Sequence, residues 1–264
     1  MQRVAEETGM EQTEGNDGQV ALIVGGGPGI SASCARLFSR NRMRVAIAAR
    51  NTDKPVLKAL ASGHGVHLFE CDASEPAAVA KLFATIKQQL GAPKLVVHNI
   101  DGRVPEVFRQ SIADVDPALT LATLTNSTFS AFLVGQQAAR QMLAQAPDSN
   151  GHRGTILFTN ASAALKGFPK SGPFAMASQG KSGLAQSMAR ELMPAGIHVA
   201  HVPIDAAVGL RQPDGSRAHR LAGKTVDDNM ADPDLIAEVY LQLHNQHRST
   251  WAYEVVLRPW VENW

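Results

Sequence analysis

Tyrosine is nearly absent from this chain. Only Tyr240 and Tyr253 occur among 264 residues, and aromatic residues together make up 5%. A phenolic acid supplied from upstream of residue 240 is therefore excluded. Cysteine is as scarce, with Cys34 and Cys71 alone. Two cysteines make no disulfide framework, so a reducing, cytoplasmic setting is expected. An excess of either charge is also missing: 25 Lys and Arg against 24 Asp and Glu leave a formal net charge of +1. That balance calls for neither nucleic acid nor an anionic membrane surface. No apolar run approaches the length of a membrane span, and no metal site is expected.

What is present is a hydrophobic content of 44%, enough for one domain with a sizeable core. Residues 1–18 stand apart. Glu6, Glu7, Glu11, Glu14 and Asp17 face a single Arg3, and large apolar residues are few. This composition predicts a disordered leader; a signal peptide needs a basic start and an apolar middle. Residues 19–264 form the domain.

Within that domain strand and helix patterns alternate. A short apolar run at 20–24 predicts a strand buried on both faces, and further strands are expected at 44–49, 66–70, 94–98, 155–159, 197–202 and 253–257. Helical patterns fill 29–41, 53–62, 75–90, 113–146, 173–193 and 232–247, with Ser74 as the cap and Pro76 in the first turn of the third. Strands alternating with helices imply an α/β fold, a doubly wound parallel sheet in a single domain. The polar, irregular stretch at about 205–230 is the natural lid over a substrate. Its Arg211, Arg217, Arg220 and Lys224 hint at an anionic substrate or at a solvated loop.

The first strand runs into Val24-Gly-Gly-Gly-Pro-Gly-Ile-Ser31. Glycines there let the backbone turn sharply and approach a pyrophosphate, and the following helix offers free N–H groups to it. The second strand ends in Arg50 where an acid would hold the ribose hydroxyls of NAD. Arginine instead makes a charge-assisted contact to a 2′-phosphate, so NADP(H) is the expected cofactor.

The spacing of Gly25 and Gly29 resembles the T-G-x-x-x-G-x-G pattern of short-chain dehydrogenases/reductases, with Val24 for the threonine and Ser31 for the last glycine. Leu184-Ala-Gln-Ser-Met-Ala-Arg-Glu-Leu192 and Gly196-Ile-His-Val199 resemble that family's next-to-last helix and the strand after it. The likeness covers roughly residues 19–258 and implies a Rossmann fold. It also implies cofactor contacts from Gly25, Gly27, Gly29, Ile30, Arg50, Asp72, Asn99 and Val208. The family's catalytic residues are an asparagine, a serine, a tyrosine and a lysine. Asn126 and Ser162 match the first two. Phe174 and Ser178 stand where the tyrosine and lysine belong. Lys181, one turn beyond Ser178, either reaches a ribose or substrate or is a solvated surface lysine, the commoner fate. Asp205 is an acid or base beside the site, or a turn residue.

Two functions follow. One is an NADP(H)-dependent oxidoreductase acting on a small carbonyl, enoyl or imine substrate without the tyrosine acid. The other is an inactive nucleotide-binding sensor or partner subunit. The family resemblance also implies a homodimer or homotetramer, with Ala138, Ala139, Met142, Leu184, Met188 and Leu192 as an apolar seam.

Overall fold

The computed structural model describes residues 16–210 and 228–263. The expected leader, apart from its last few residues, and most of the expected lid lie outside them, including Arg211, Arg217, Arg220 and Lys224. Six parallel strands form one sheet in the order β3-β2-β1-β4-β5-β6. They are β1 Val20–Val24, β2 Arg44–Ala49, β3 His67–Glu70, β4 Pro93–His98, β5 Gly154–Ala161 and β6 Ile197–Ile204. The helices are α1 Ile30–Arg40, α2 Pro55–His64, α3 Pro76–Gln89, α4 Pro117–Leu124, α5 Ser130–Leu143, α6 Gly172–Leu192 and α7 Pro233–His244.

All five residues of β1 are buried, because both faces of the sheet are covered. Val20, Leu22 and Val24 pack with apolar residues of α3, α5 and α6. Ala21 and Ile23 pack with those of α1, α2 and α7. This is the reason the strand reads as a continuous apolar run. Chain order reverses direction across the sheet between β1 and β4, which opens a crevice at the strands' carboxyl ends.

Four local expectations change. Ser74 does not cap α3; Glu75 precedes the helix, and the Ser74 hydroxyl donates to Asp72 at 2.6 Å. The long helix expected at 113–146 starts at Pro117, behind an Asp116 side chain that accepts from Ala118 N–H, and a π turn at Thr125–Phe129 divides it. By length and composition this 27-residue stretch is apolar enough to cross a membrane. Here its Ala131, Val134, Ala138 and Met142 are buried in the domain core. The last expected strand pairs with β6 only through the parallel bridges His201–Glu254 and Ile204–Leu257.

Of the six residues expected at a subunit seam, three are buried in the single chain and three are half-buried at its surface. Ala138, Met142 and Leu192 are buried within the protomer, and Ala139, Leu184 and Met188 pack against the same core. These residues face the sheet, since that is where α5 and α6 bury their apolar stripes. The exposed large apolar residues of α4, α5, α6 and the turn joining α4 to α5 are Leu121, Phe129, Phe132, Leu143 and Met176.

Candidate active site

Three adjoining cavities follow the carboxyl ends of β1, β2, β4 and β5, and Asn99 borders all of them. The first, about 410 Å³, is lined by Arg50, Asn51, Lys54, Asp72 and Asn126 among others. The second, about 370 Å³, brings together Gly25, Gly27, Gly29, Ile30, Asn99 and Val208. All six were legible from the glycine pattern and the family resemblance.

Gly25 adopts φ 109°, and a Cβ there would collide with the Asn99 carbonyl. Only glycine fits this close crossing of β1 and β4. A Cβ at Gly27 would meet nothing within 4 Å, because it faces open space. Gly29 precedes α1 with no side-chain cap, so the helix's first N–H groups remain available to an anion. Ser31 is buried and closes the loop from inside. Its hydroxyl donates to the Gly25 carbonyl at 2.6 Å and accepts from the Asn99 amide at 2.7 Å.

Arg50 is exposed at the end of β2. Lys54, which the sequence reading did not single out, shares its cavity. Its ammonium donates to the Gly26 carbonyl at 2.8 Å, and Pro55 begins α2 directly after it. The nearby acid Asp53 turns outward and pairs with Lys58 at 3.2 Å. The Asp72 carboxyl is held below the usual range by the Ser74 hydroxyl and N–H.

The third cavity, about 370 Å³, lies at the other end of the crevice and includes Arg103, Thr159, Asn160, Ala161, Phe174 and Lys181. Lys181 is not a solvated surface residue. It is 1% exposed. Its ammonium donates to the Ile100 carbonyl at 2.8 Å and the Thr159 carbonyl at 3.4 Å. Burial pushes its pKa down to about 8, partly opposed by Asp101. The helix places Lys181 under the ends of β4 and β5, where two strand-end carbonyls replace its water.

Phe174 is buried, and the Arg103 guanidinium carbon sits 4.3 Å from its ring centroid. Arg103 also pairs with Asp101 at 2.9 Å. Ser178 is buried with its hydroxyl unpartnered. Its carbonyl accepts from the Asn160 amide at 2.8 Å. Asn160 carries a longer chain. Ala161 N–H donates to its Oδ1 at 3.0 Å, which turns Nδ2 toward His201 Nε2 at 2.9 Å. His201 then bears its proton on Nδ1, 2.8 Å from the Glu254 carboxylate. This is the neutral imidazole, consistent with a pKa that burial lowers.

Asn126 sits in the π turn at the rim of the first cavity, beside Gly102 and Arg103. His98 Nε2 lies 2.9 Å from the Ser130 hydroxyl, which lies 2.6 Å from the Asn126 carbonyl. One proton on Ser130 serves that carbonyl, so His98 donates to Ser130, and β4 thereby braces the turn. Ser162 does not line the third cavity; Ala161 does. Ser162 opens the short turn after β5, where its carbonyl accepts from Leu165 and Lys166 N–H. Asp205 is likewise outside the cavity lining. It pairs with Lys166 and Arg258, each at 3.4 Å. No cluster of metal-ligating side chains occurs among the described residues.

A doubly wound sheet with a glycine turn opening onto its reversal point defines a dinucleotide-binding α/β protein. A family profile described as enoyl-(acyl carrier protein) reductase matches residues 25–253. The chain belongs to the short-chain dehydrogenase/reductase family of oxidoreductases, whose members bind nicotinamide cofactors. It is 30% identical over 197 residues to a (21S)-21-acetoxyl-apo-melianone synthase from Melia azedarach, covering 74% of this chain and 69% of that protein. It is 30% identical over 188 residues to tropinone reductase-like 2 of Erythroxylum coca, covering 69% of this chain and 64% of that protein, just under two thirds. A short-chain dehydrogenase from Rhodopseudomonas palustris superposes with a TM-score of 0.73 at 27% identity, covering 92% of this chain and 99% of that one. A metagenomic short-chain oxidoreductase, solved in complex with NADP, superposes at 0.72 with 24% identity, covering 92% and 98%.

Proposed function

We propose that the protein is an NADP(H)-dependent reductase of small carbonyl, enoyl or imine substrates, with Lys181 as the proton donor. The observation that carries this reading is a buried ammonium in the wall of the third cavity. The chain lacks the family's tyrosine–lysine pair, with Phe174 and Ser178 at those positions. An ammonium of pKa about 8 is a competent acid near neutral pH.

The residues of the crevice fit the cofactor. The turn from Gly25 to Ile30 would take the pyrophosphate. Arg50 and Lys54 would take the 2′-phosphate, Asp72 the adenine, and Asn99 and Val208 the approach to the nicotinamide end. Bound there, NADPH supplies a hydride. Apolar Ile30, Ile204 and Val208 in the third cavity exclude water. Asn126 and Ser162 retain the family's residue types, and the bracing of Asn126 by His98 and Ser130 keeps its turn in place. The metagenomic oxidoreductase solved with NADP also favours this nucleotide.

The test is NADPH oxidation against a panel of ketones, enoyl compounds and imines. The wild type is expected to turn over at least one class. Lys181→Met should lower kcat by about 10²–10⁴, the usual worth of a positioned acid, with NADPH affinity retained. Methionine fills the space without a buried charge, so the variant should fold. Reduction should decline as pH rises through about 8, since the ammonium is then lost, and the reverse oxidation should rise. Intact NADPH binding with no turnover on any class would favour the sensor reading instead.

We further propose a homo-oligomer built on Leu121, Phe129, Phe132 and Met176, which are exposed and apolar. A monomer by light scattering at micromolar concentration would sink that part. The two free, buried thiols of Cys34 and Cys71 favour a cytoplasmic location.

A further inference from the structure

The loop after β4 places a second cation at the third cavity. Arg103 lies between two aromatic faces, its guanidinium carbon 4.3 Å from the centroid of Phe174 and 5.2 Å from that of Phe108. One of its nitrogens, Nη2, donates to Asp101 at 2.9 Å. Two rings and one carboxylate fix the plane of the group. Among the described residues its other donors, on Nε and Nη1, have no protein acceptor. A guanidinium stacked on its faces presents its edges, and an edge with free N–H groups is a fork for a carboxylate.

The charge balance of the cavity agrees. Its lining holds two cations, Arg103 and Lys181, and one acid, Asp101. Arg103 has taken that acid as its ion-pair partner, and Lys181 is hydrogen-bonded only to carbonyl oxygens. The rest of the lining is uncharged, and much of it is apolar: Ile30, Ala161, Ile204 and Val208. One positive charge is thus left without its counterpart between walls of low polarity, where Coulomb attraction is stronger than in water. The volume of about 370 Å³ suits a small molecule. A single net positive charge matches a monoanion better than a phosphate monoester.

We propose that Arg103 anchors the carboxylate of a small anionic substrate, an oxo acid or an α,β-unsaturated acid, in the third cavity. This rests on the reductase reading, and it names the class of molecule that site takes. The carboxylate lies on the Arg103 edge, which turns the reducible bond toward Lys181. Arg103 is then a substrate-binding residue, and Phe174 is the platform that holds it. The phenylalanine at the tyrosine position is thereby given a use of its own.

The probes are acetoacetate and methyl acetoacetate, alike in shape but differing in charge. Each is titrated by calorimetry into the full chain, nucleotide-free and loaded with NADP⁺. The acid is expected to bind at least about tenfold more tightly than the ester, the low end for a charge-assisted pair. Arg103→Gln should erase that preference and leave ester binding unchanged; its side chain is a third exposed, so the fold should tolerate the change. Phe174→Leu, which removes the platform but not the charge, should weaken acid binding by a smaller factor. Equal binding of acid and ester overturns the proposal. So does a preference that survives Arg103→Gln, or no binding of either probe. The reductase reading fails separately, if NADPH does not bind or neither probe nor any other substrate is reduced. The acid preference is still read in the nucleotide-free titration.

Discussion

The Ser31 hydroxyl donates to the Gly25 carbonyl across 2.6 Å, and the Asn99 amide donates back to Ser31 at 2.7 Å. Three elements meet in that pair of bonds: the start of α1, the glycine turn and the end of β4. A serine where the family's pattern has its last glycine is therefore a tie and not a steric intrusion. Ser31→Ala should take a partner from two half-buried polar groups and cost about 1 kcal/mol, read as a lower denaturation midpoint. NADPH affinity should fall with it, because the turn proposed to take the pyrophosphate loosens. An unchanged midpoint together with unchanged affinity would show that the tie is dispensable.

Cofactor choice should depend on two cations, not one. Arg50 and Lys54 line the same cavity. NADPH is expected to bind more tightly than NADH, and Arg50→Ala should remove most of the difference. Lys54→Ala on top of it should remove the rest. Each charge-assisted contact to a phosphate is worth about 1.5–3 kcal/mol, so each step should be roughly tenfold or more by fluorescence titration. Equal affinity of the wild type for both nucleotides defeats the NADP assignment.

Restoring a phenol is the next test. The sequence alone argues for returning tyrosine and lysine together, at Phe174 and Ser178. The burial of Lys181 changes that argument. Phe174→Tyr adds a hydroxyl to a ring that already has the Arg103 guanidinium across its face and shares its cavity with Lys181. Nearby cations lower a phenol's pKa from its usual value of about 10. The single change should raise reduction of an uncharged ketone by about tenfold or more. Ser178→Lys should instead destabilise the fold, since it buries a second ammonium one turn from the first. A Phe174→Tyr enzyme no faster than wild type, with NADPH binding intact, would place the reacting carbonyl away from residue 174.

Acid should unfold the protein earlier than its carboxylates alone would require. His98, His198, His201 and His244 are buried, and burial lowers the pKa of each. For His244 the value falls to about 3, with His152, His198 and Lys94 adding repulsion. Its nitrogens meet Thr155 at 2.9 Å and Gln19 at 3.0 Å, and neither partner is an acid. Between pH 6.5 and about 3 the unfolded chain takes up a proton that the native state refuses, so stability falls as pH is lowered through that window. Urea midpoints at pH 7 and pH 5 should differ, and His244→Gln should narrow the gap. Identical wild-type midpoints would contradict this account.

The inner strands were legible because the sheet is covered on both faces there, and Val20–Val24 is apolar throughout for that reason; residues 253–257, which read as a strand as well, reach β6 only through two bridges. The glycine turn was legible because its conformation demands the residue type. Lys181 was not. A lysine on a helix reads as solvated, and only the carbonyls of Ile100 and Thr159, brought from two other strand ends, give it a place inside. Arg103 lies in a loop with no periodicity, and its meaning depends on Phe174 lying beneath it. The π turn at Asn126 was hidden for a similar reason. It depends on His98 reaching Ser130, and on Gly102 (φ 75°) packing so closely on Asn126 and Ser127 that a Cβ would not fit.

The Asn160 amide has one orientation, because Ala161 N–H occupies its oxygen. That choice passes outward as a polarity. His201 must accept at Nε2, must donate from Nδ1, and so must find an acceptor in Glu254. The segment beyond α7 is therefore fastened to β6 by a directional chain of hydrogen bonds whose sense is set at the cavity wall. Replacing the amide by a carboxylate, Asn160→Asp, keeps the size but offers His201 only lone pairs. The imidazole would then need a second proton to keep both neighbours. The far edge of the sheet and the wall of the third cavity are thus joined through one imidazole, and a change at Asn160 is felt at Glu254 as a change of protonation.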